Sequence, residues 1–241
     1  MLKKLYDKDP VWFAVLWIGL YVVGFSAADA ASDAIGISKL ITAAVGLAMS
    51  AVLLAFAKKH GLLRRCGLVR FDGSGKKYLY FLPLIVISSV NFWNGVTAPE
   101  GLLTSLCFVV SMCCVAFLEE VIFRGLLFRG MCDGGNVKTA ILVCSLTFGI
   151  GHAVNLLNGA PVFETLLQLV YASAIGFCYT AIVYRSGSLL PCILSHAVVN
   201  STSLVGAECA PWMLAVIAAV QTVLGVGYGI WVLKKVPAET E

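Results

Sequence analysis

The chain predicts an all-α fold, a polytopic membrane bundle of about eight transmembrane helices forming a single domain over residues 1–241. Three observations carry this prediction. Hydrophobic residues fill 60% of the positions and charged residues only 12%, about half the share of an ordinary soluble domain, and mean hydropathy is +0.92. The apolar residues gather into stretches at about 10–28, 39–57, 79–98, 102–131, 139–156, 163–184, 188–204 and 211–233, most of them near the ~20 residues with which a helix crosses a bilayer. The basic residues, finally, fall on every second connection between these stretches.

In chain order, Lys3, Lys4 and Lys8 precede the first stretch and set its start on the cytoplasmic side. The same basic start, followed by an apolar run and Ala28-Asp29-Ala30, loosely fits a cleavable signal peptide. The run from Val11 to Ala28 is long for such a signal, and its removal would leave the orientation of every later span unchanged. Asp29 and Asp33 mark the outer side. The second stretch then returns to a basic loop at about 58–78, which carries Lys58, Lys59, Arg64, Arg65, Arg70, Lys76 and Lys77 beside Gly67, Gly73 and Gly75 and suits the anionic inner leaflet. The third and fourth stretches meet at Glu100 outside, and the fourth reaches Arg124 and Arg129 before the fifth begins at Lys138 inside. Glu164 precedes the sixth, Arg185 closes it, Glu208 joins the seventh to the eighth, and Lys234 and Lys235 end the last. Sixteen of the seventeen Lys and Arg thus lie on the cytoplasmic side or in the inner half of a span, with Lys39 the exception. Both termini are expected in the cytoplasm, in a multi-pass protein of the cell membrane.

The formal net charge of +4 is therefore a topology signal. No basic stripe interleaved with aromatics is present, so no nucleic-acid partner is expected; the expected partners are the lipid bilayer and a membrane-associated peptide or protein. The nine cysteines lie mostly inside apolar stretches (Cys107, Cys113, Cys114, Cys144, Cys178, Cys192), where a free thiol packs as a small hydrophobe. Cys66 and Cys132 fall in cytoplasmic loops, and neither a disulfide framework nor a finger-like zinc spacing is evident.

Few ionisable side chains remain at membrane depth, where such groups mark function by default. They form three motifs. In Glu119-Glu120-Val-Ile-Phe-Arg124 the second acid and the arginine are four apart, acid first, the favourable order for a helical pair. Glu119 is turned by about 100° from that face, which leaves it as the carboxylate free for chemistry; the alternative is a salt-bridge cluster of all three. In Phe148-Gly-Ile-Gly-His152 the glycines beside the histidine permit close helix approach or leave room for a substrate. In His196-Ala-Val-Val-Asn200 the spacing stacks an imidazole and an amide on one face as two neutral donors, fit for an oxyanion or for bonding between helices. At about 1.5 Å per helical residue, Glu119 lies about 15 Å from Arg129, His196 about 16 Å from Arg185 and His152 about 20 Å from Lys138, so the three motifs can meet at one depth, in the inner half of the bilayer or near its middle.

A carboxylate and an imidazole that converge on one water can act as its general base. A second imidazole with an amide can then stabilise the oxyanion formed when that water attacks a carbonyl. That is amide hydrolysis, and it requires no nucleophilic side chain, although Ser195 and Cys192 lie near His196 and a Cys192–His196 nucleophile is conceivable. The three motifs, in this order on separate helices, resemble the CAAX-protease and bacteriocin-processing family of intramembrane glutamate endopeptidases. The resemblance covers roughly residues 79–204, a catalytic core that excludes the first two spans. It implies that Glu119 and His152 activate water, that His196 and Asn200 form the oxyanion hole, that Glu120 and Arg124 support the site, and that Phe148 is structural.

No cofactor is expected. The one metal alternative is a zinc site of Glu119, His152 and His196, against which stand the lack of HExxH and the fit of Asn200 to a donor pair. The rival from another class is a non-catalytic immunity factor or scaffold that uses the same polar groups to lock its helices. A proton-coupled transporter is a third reading, weakened by the absence of inverted repeats and Pro-broken spans in matching halves.

Overall fold

The computed structural model describes residues 2–69, 75–99 and 101–237. Arg70, Gly73 and Glu100, which the sequence assigns to the basic loop and an outer connection, lie outside the described residues, as does the side chain of Lys76. Six helices are long and apolar enough to cross a membrane: 10–35, 40–59, 102–134, 137–157, 162–186 and 211–235. The chain is thus a helical multi-pass membrane bundle, and among the described residues its only β pairing is one antiparallel bridge between Val96 and Gly206.

The short helix α1 (Leu2–Lys8) leads into α2 (Pro10–Ile35), whose start is fixed by Pro10 in the first turn and by the Asp9 carboxylate accepting from the Val11 and Trp12 amides. This helix runs seven residues beyond the apolar stretch, because Ser32 and Asp29 find partners on the next helix: the Ile41 amide donates to the Ser32 hydroxyl, and Thr42 donates to Asp29. Gly36 in the left-handed region ends it. Helix α3 (Leu40–Lys59) returns antiparallel and closes with Lys58 and Lys59 at its negative end.

The stretch expected as one span at 79–98 is broken instead. It comprises a 3₁₀ helix at Gly75–Phe81, α4 (Pro83–Ser88), a second 3₁₀ turn at Val90–Phe92 and an extended exit. Pro83 prevents a continuous helix, since it lacks an amide proton and clashes with the preceding turn. Asn91 then turns to α10 (Leu190–Thr202), giving its amide to the Val199 carbonyl at 2.6 Å and the Thr202 hydroxyl at 2.9 Å. The seventh stretch is likewise short, a helix of 13 residues. These two segments lie side by side. Leu189 at the start of α10 donates to the Gly67 carbonyl at one end of the bundle, and the Val96–Gly206 bridge joins their other ends, so both run from one face to the other.

Helix α5 (Leu102–Glu120) continues through a π-helix at Val121–Phe128 into α6 (Arg129–Gly134). Helices α7 (Val137–Gly151), the single turn α8 (Val154–Leu157), α9 (Val162–Ser186) and α11 (Pro211–Lys235) complete the bundle. Helix α9 is central, packed between α7 and α11. Small residues allow both contacts: a Cβ on Gly149 would meet Ser173 and the Leu169 carbonyl, and one on Gly225 would come within 2.7 Å of the Ala174 carbonyl. Gly225 and Gly229 are thus a small-xxx-small pair against α9. All nine cysteines are free thiols. Cys66 is not in an open loop but packed under Gly125, and burial pushes its thiol up to about 11, the state of an inert structural cysteine.

Gly225→Ala is expected to destabilise the bundle by about 1–3 kcal/mol through overpacking against backbone. Gly227→Ala, which meets nothing within 4 Å, should leave the unfolding midpoint unchanged or raise it. Thermal unfolding of the two variants in detergent checks this.

Candidate active site

Glu119 and Glu120 end the α-helical part of α5, and the π-helix follows at once. Such i→i+5 turns are rare and recur at functional sites. Eight consecutive residues, Val121–Phe128, are buried there, so this segment is the interior of the molecule and not a lipid-facing surface.

Within it Arg124 is fully buried. Its Nη1 donates to Glu120 Oε1 at 3.0 Å, both side chains showing 0% exposure. The guanidinium lies over the Phe148 ring at 4.1 Å from its centroid, and Nε reaches the Thr180 hydroxyl at 3.4 Å. Gly176 makes the space: a Cβ there would stand 3.2 Å from Arg124 Nη2 and 3.1 Å from Phe148. The pair expected from the four-residue spacing is therefore formed, and Phe148 carries the face of the cation. Phe148 also meets Phe123, His152 and His196 edge-on, with centroids 5.2, 5.2 and 6.0 Å away.

Glu119 takes no part in that pair. Its Oε1 accepts from the Tyr21 hydroxyl at 2.6 Å, and its Oε2, buried and without a hydrogen bond among the described residues, lies 3.6 Å from His196 Nε2. His196 stands between the two acids, with Nδ1 3.0 Å from Glu120 Oε1. This alters one expectation. A carboxylate only accepts, so Nδ1 carries the proton, and a neutral His196 in that tautomer has no N–H at Nε2. His196 and Asn200 are a pair of donors only when the imidazole holds both protons.

His152 caps the end of α7, and its Nδ1 is 3.0 Å from the Phe148 carbonyl. The carbonyl fixes the proton on Nδ1, which leaves Nε2 as the basic nitrogen of the neutral ring. Glu119, His152 and Asn200 all line one cavity of about 410 Å³, together with Tyr21, Phe148 and Gly151. The two glycines before His152 thus divide the two roles open to them: Gly149 receives α9, and Gly151 borders the cavity. Cys192 and Ser195 are turned elsewhere, the thiol toward the Tyr179 carbonyl and the hydroxyl bonded to Tyr179 and Ser88 at 2.8 Å each. Among the described residues no group of three His, Cys, Asp or Glu side chains is set to hold a metal ion.

Tyr21, Thr180 and Gly176 were not legible as site residues. Tyr21 lies on the first span, outside the 79–204 core, and its signal was position: it sits mid-helix in α2, whereas tyrosines in spans gather at the membrane interfaces.

Arg124→Leu is expected to cost about 3–5 kcal/mol, because it strands Glu120 as an unpaired buried acid. Arg124→Lys should recover little of this, since an ammonium neither stacks on Phe148 nor spans Glu120 and Thr180. Unfolding midpoints of the purified variants measure both.

A family model described as type II CAAX prenyl endopeptidase Rce1-like matches residues 101–202. No curated protein and no solved structure matches. The matched stretch begins one residue before α5 and ends with α10; over it the chain is similar to that family, and it contains all three motifs and the paired acids, arginine and histidines described above.

Proposed function

We propose that the protein is an intramembrane endopeptidase of the glutamate type, which hydrolyses a peptide bond of a membrane-associated protein or peptide, with or without a lipid on it, without a metal. The observation that carries this reading is the separation of two adjacent carboxylates: Glu120 is consumed by Arg124 and His196, whereas Glu119 is oriented by Tyr21 through one oxygen and has its other oxygen unbonded among the described residues. A water between Glu119 and His152 Nε2 would give up its proton to this pair and attack the substrate carbonyl. Asn200, and His196 when it carries both protons, would donate to the oxyanion. The collapse of that intermediate needs a proton on the leaving nitrogen, which the same Glu119–His152 pair holds after the first step. Glu120 and Arg124 act as supports that fix His196.

The basic residues at one end of the bundle support an orientation with both termini in the cytoplasm of a cell membrane. The scaffold reading, in which these groups only lock helices, is not favoured by Glu119 Oε2, which makes no hydrogen bond among the described residues.

The test is proteolysis of membrane-anchored and C-terminal peptide libraries by purified protein in detergent. Glu119→Gln is expected to lower cleavage by at least 10²–10⁴-fold, the usual share of a general base, and a chelator to leave it unchanged. Full activity of Glu119→Gln would remove Glu119 as the base, no cleavage by either protein would return the protein to the scaffold reading, and loss with chelator would make it a zinc enzyme. Tyr21→Phe should lower kcat about 10- to 100-fold, the equivalent of the ~1.5–3 kcal/mol of a hydrogen bond to a charged group, while His152 and Asn200 stay in place.

A further inference from the structure

The cavity runs from the middle of the bundle toward one end, and that end is not the basic one. Its course along α2 is marked by Ile18, Tyr21, Phe25 and Asp29, and its far rim by Asp29, Lys39, Thr42, Asn158, Gln168 and Ser203. These rim residues sit where α2 finishes, α3 begins, α8 finishes, α9 begins and α10 finishes. Asn158 and Ser203 are exposed there.

The opposite end carries Lys58, Lys59, Arg64, Arg65, Arg129, Lys138, Arg185, Lys234 and Lys235. It is tied shut by Arg65 with Asp133, by Arg185 on the Leu233 carbonyl and by Leu189 on Gly67. Between that end and Glu119 lies a layer with no solvent exposure: Glu120, Val121, Ile122, Arg124, Phe128 and Leu189. Among the described residues, Lys39 is the only Lys or Arg at the cavity end. It holds a left-handed backbone with φ 62°, a conformation that costs a side-chain-bearing residue about 1–3 kcal/mol and persists where its surroundings impose it. Its Nζ meets both Asp29 oxygens, at 2.9 and 2.8 Å, at the mouth. The single exception to the charge asymmetry is thus an ion pair built into the rim.

Basic ends stay on the cytoplasmic side. We infer that the cavity opens on the face away from the cytoplasm, and that the bond cut lies in the extracytoplasmic juxtamembrane segment of a membrane-anchored peptide. The second half of this inference rests on the endopeptidase reading. From Tyr21, which is bonded to Glu119, to Asp29 at the rim α2 rises about 12 Å, so about four extended residues, at ~3.3 Å each, pass between the rim and Glu119. A chain entering from the cytoplasm would have to cross the buried ion-pair layer. The depth expected from the motifs, in the inner half of the bilayer or near its middle, is compatible with this route, which reaches the site from the outer side.

The experiment applies a membrane-impermeant maleimide to cells expressing full-length Ser203→Cys or Lys138→Cys, with wild type as the blank for its own nine cysteines and the modified positions located by peptide mass spectrometry. Cleavage of single-span reporters, carrying the cut segment outside or inside, is measured before and after modification. Ser203→Cys is expected to react without permeabilisation and then to cleave at least tenfold less than the same variant unmodified; Lys138→Cys should react only after permeabilisation; and only the outside reporter should be cut. Reaction of Ser203→Cys solely after permeabilisation, or cleavage of the inside reporter, overturns the inference. Labelling as expected with neither reporter cut overturns the protease reading, and the substrate route with it, while the direction of the opening stands.

Discussion

A single buried ion pair organises the centre of this membrane bundle. Glu120 and Arg124 face each other at 3.0 Å with no exposure to solvent, in surroundings where either charge alone is costly. Everything near them is shaped by that requirement. Phe148 lies against the guanidinium, Gly176 withholds a side chain to admit it, Thr180 accepts from it, and His196 gives its Nδ1 proton to the same carboxylate oxygen. The π-helix that contains Arg124 is wholly buried around this pair. Three long helices and one short one are thereby fixed to a common point: the helix at 102–134, α7, α9 and α10.

The pair's consequence for chemistry lies in what it leaves over. Because Arg124 is taken by Glu120, the adjacent Glu119 is free of any arginine, and its neighbours are a phenol, an imidazole and a cavity. Two residues of identical type, one peptide bond apart, thus hold different positions for a geometric reason: about 100° of helix rotation points one at a cation and the other at open space. The first span completes the arrangement, since Tyr21 of α2 orients Glu119. Glu119 therefore takes a partner from a helix that lies outside the matched stretch 101–202.

Much of this was legible in the sequence, and the reasons are specific. Apolar length and basic asymmetry are one-dimensional signals, so the eight stretches and the three polar motifs could be read directly. The Glu120–Arg124 contact was legible because a four-residue spacing fixes neighbours on a helix. Tyr21 was not, because its partner is 98 positions away and nothing local to residue 21 signals it. The broken third segment was overestimated as a span because hydropathy averages over Pro83 and Asn91, whereas the backbone responds to each of them. The tautomer of His196 depends on a carboxylate from another helix, which no spacing within α10 encodes. Nor could the cavity's direction be counted from motif depth: it follows from which ends of five elements form its rim.

The central claim is that one carboxylate of the pair is structural and the other is not. The most direct test is the unfolding midpoint of Glu119→Gln and Glu120→Gln, purified and melted side by side in the same detergent. The expected result is a midpoint near wild type for Glu119→Gln, whose amide oxygen still accepts from Tyr21, and a clearly lower one for Glu120→Gln, which leaves Arg124 as an uncompensated buried cation. Equal losses for the two, or a larger loss for Glu119→Gln, would contradict the account.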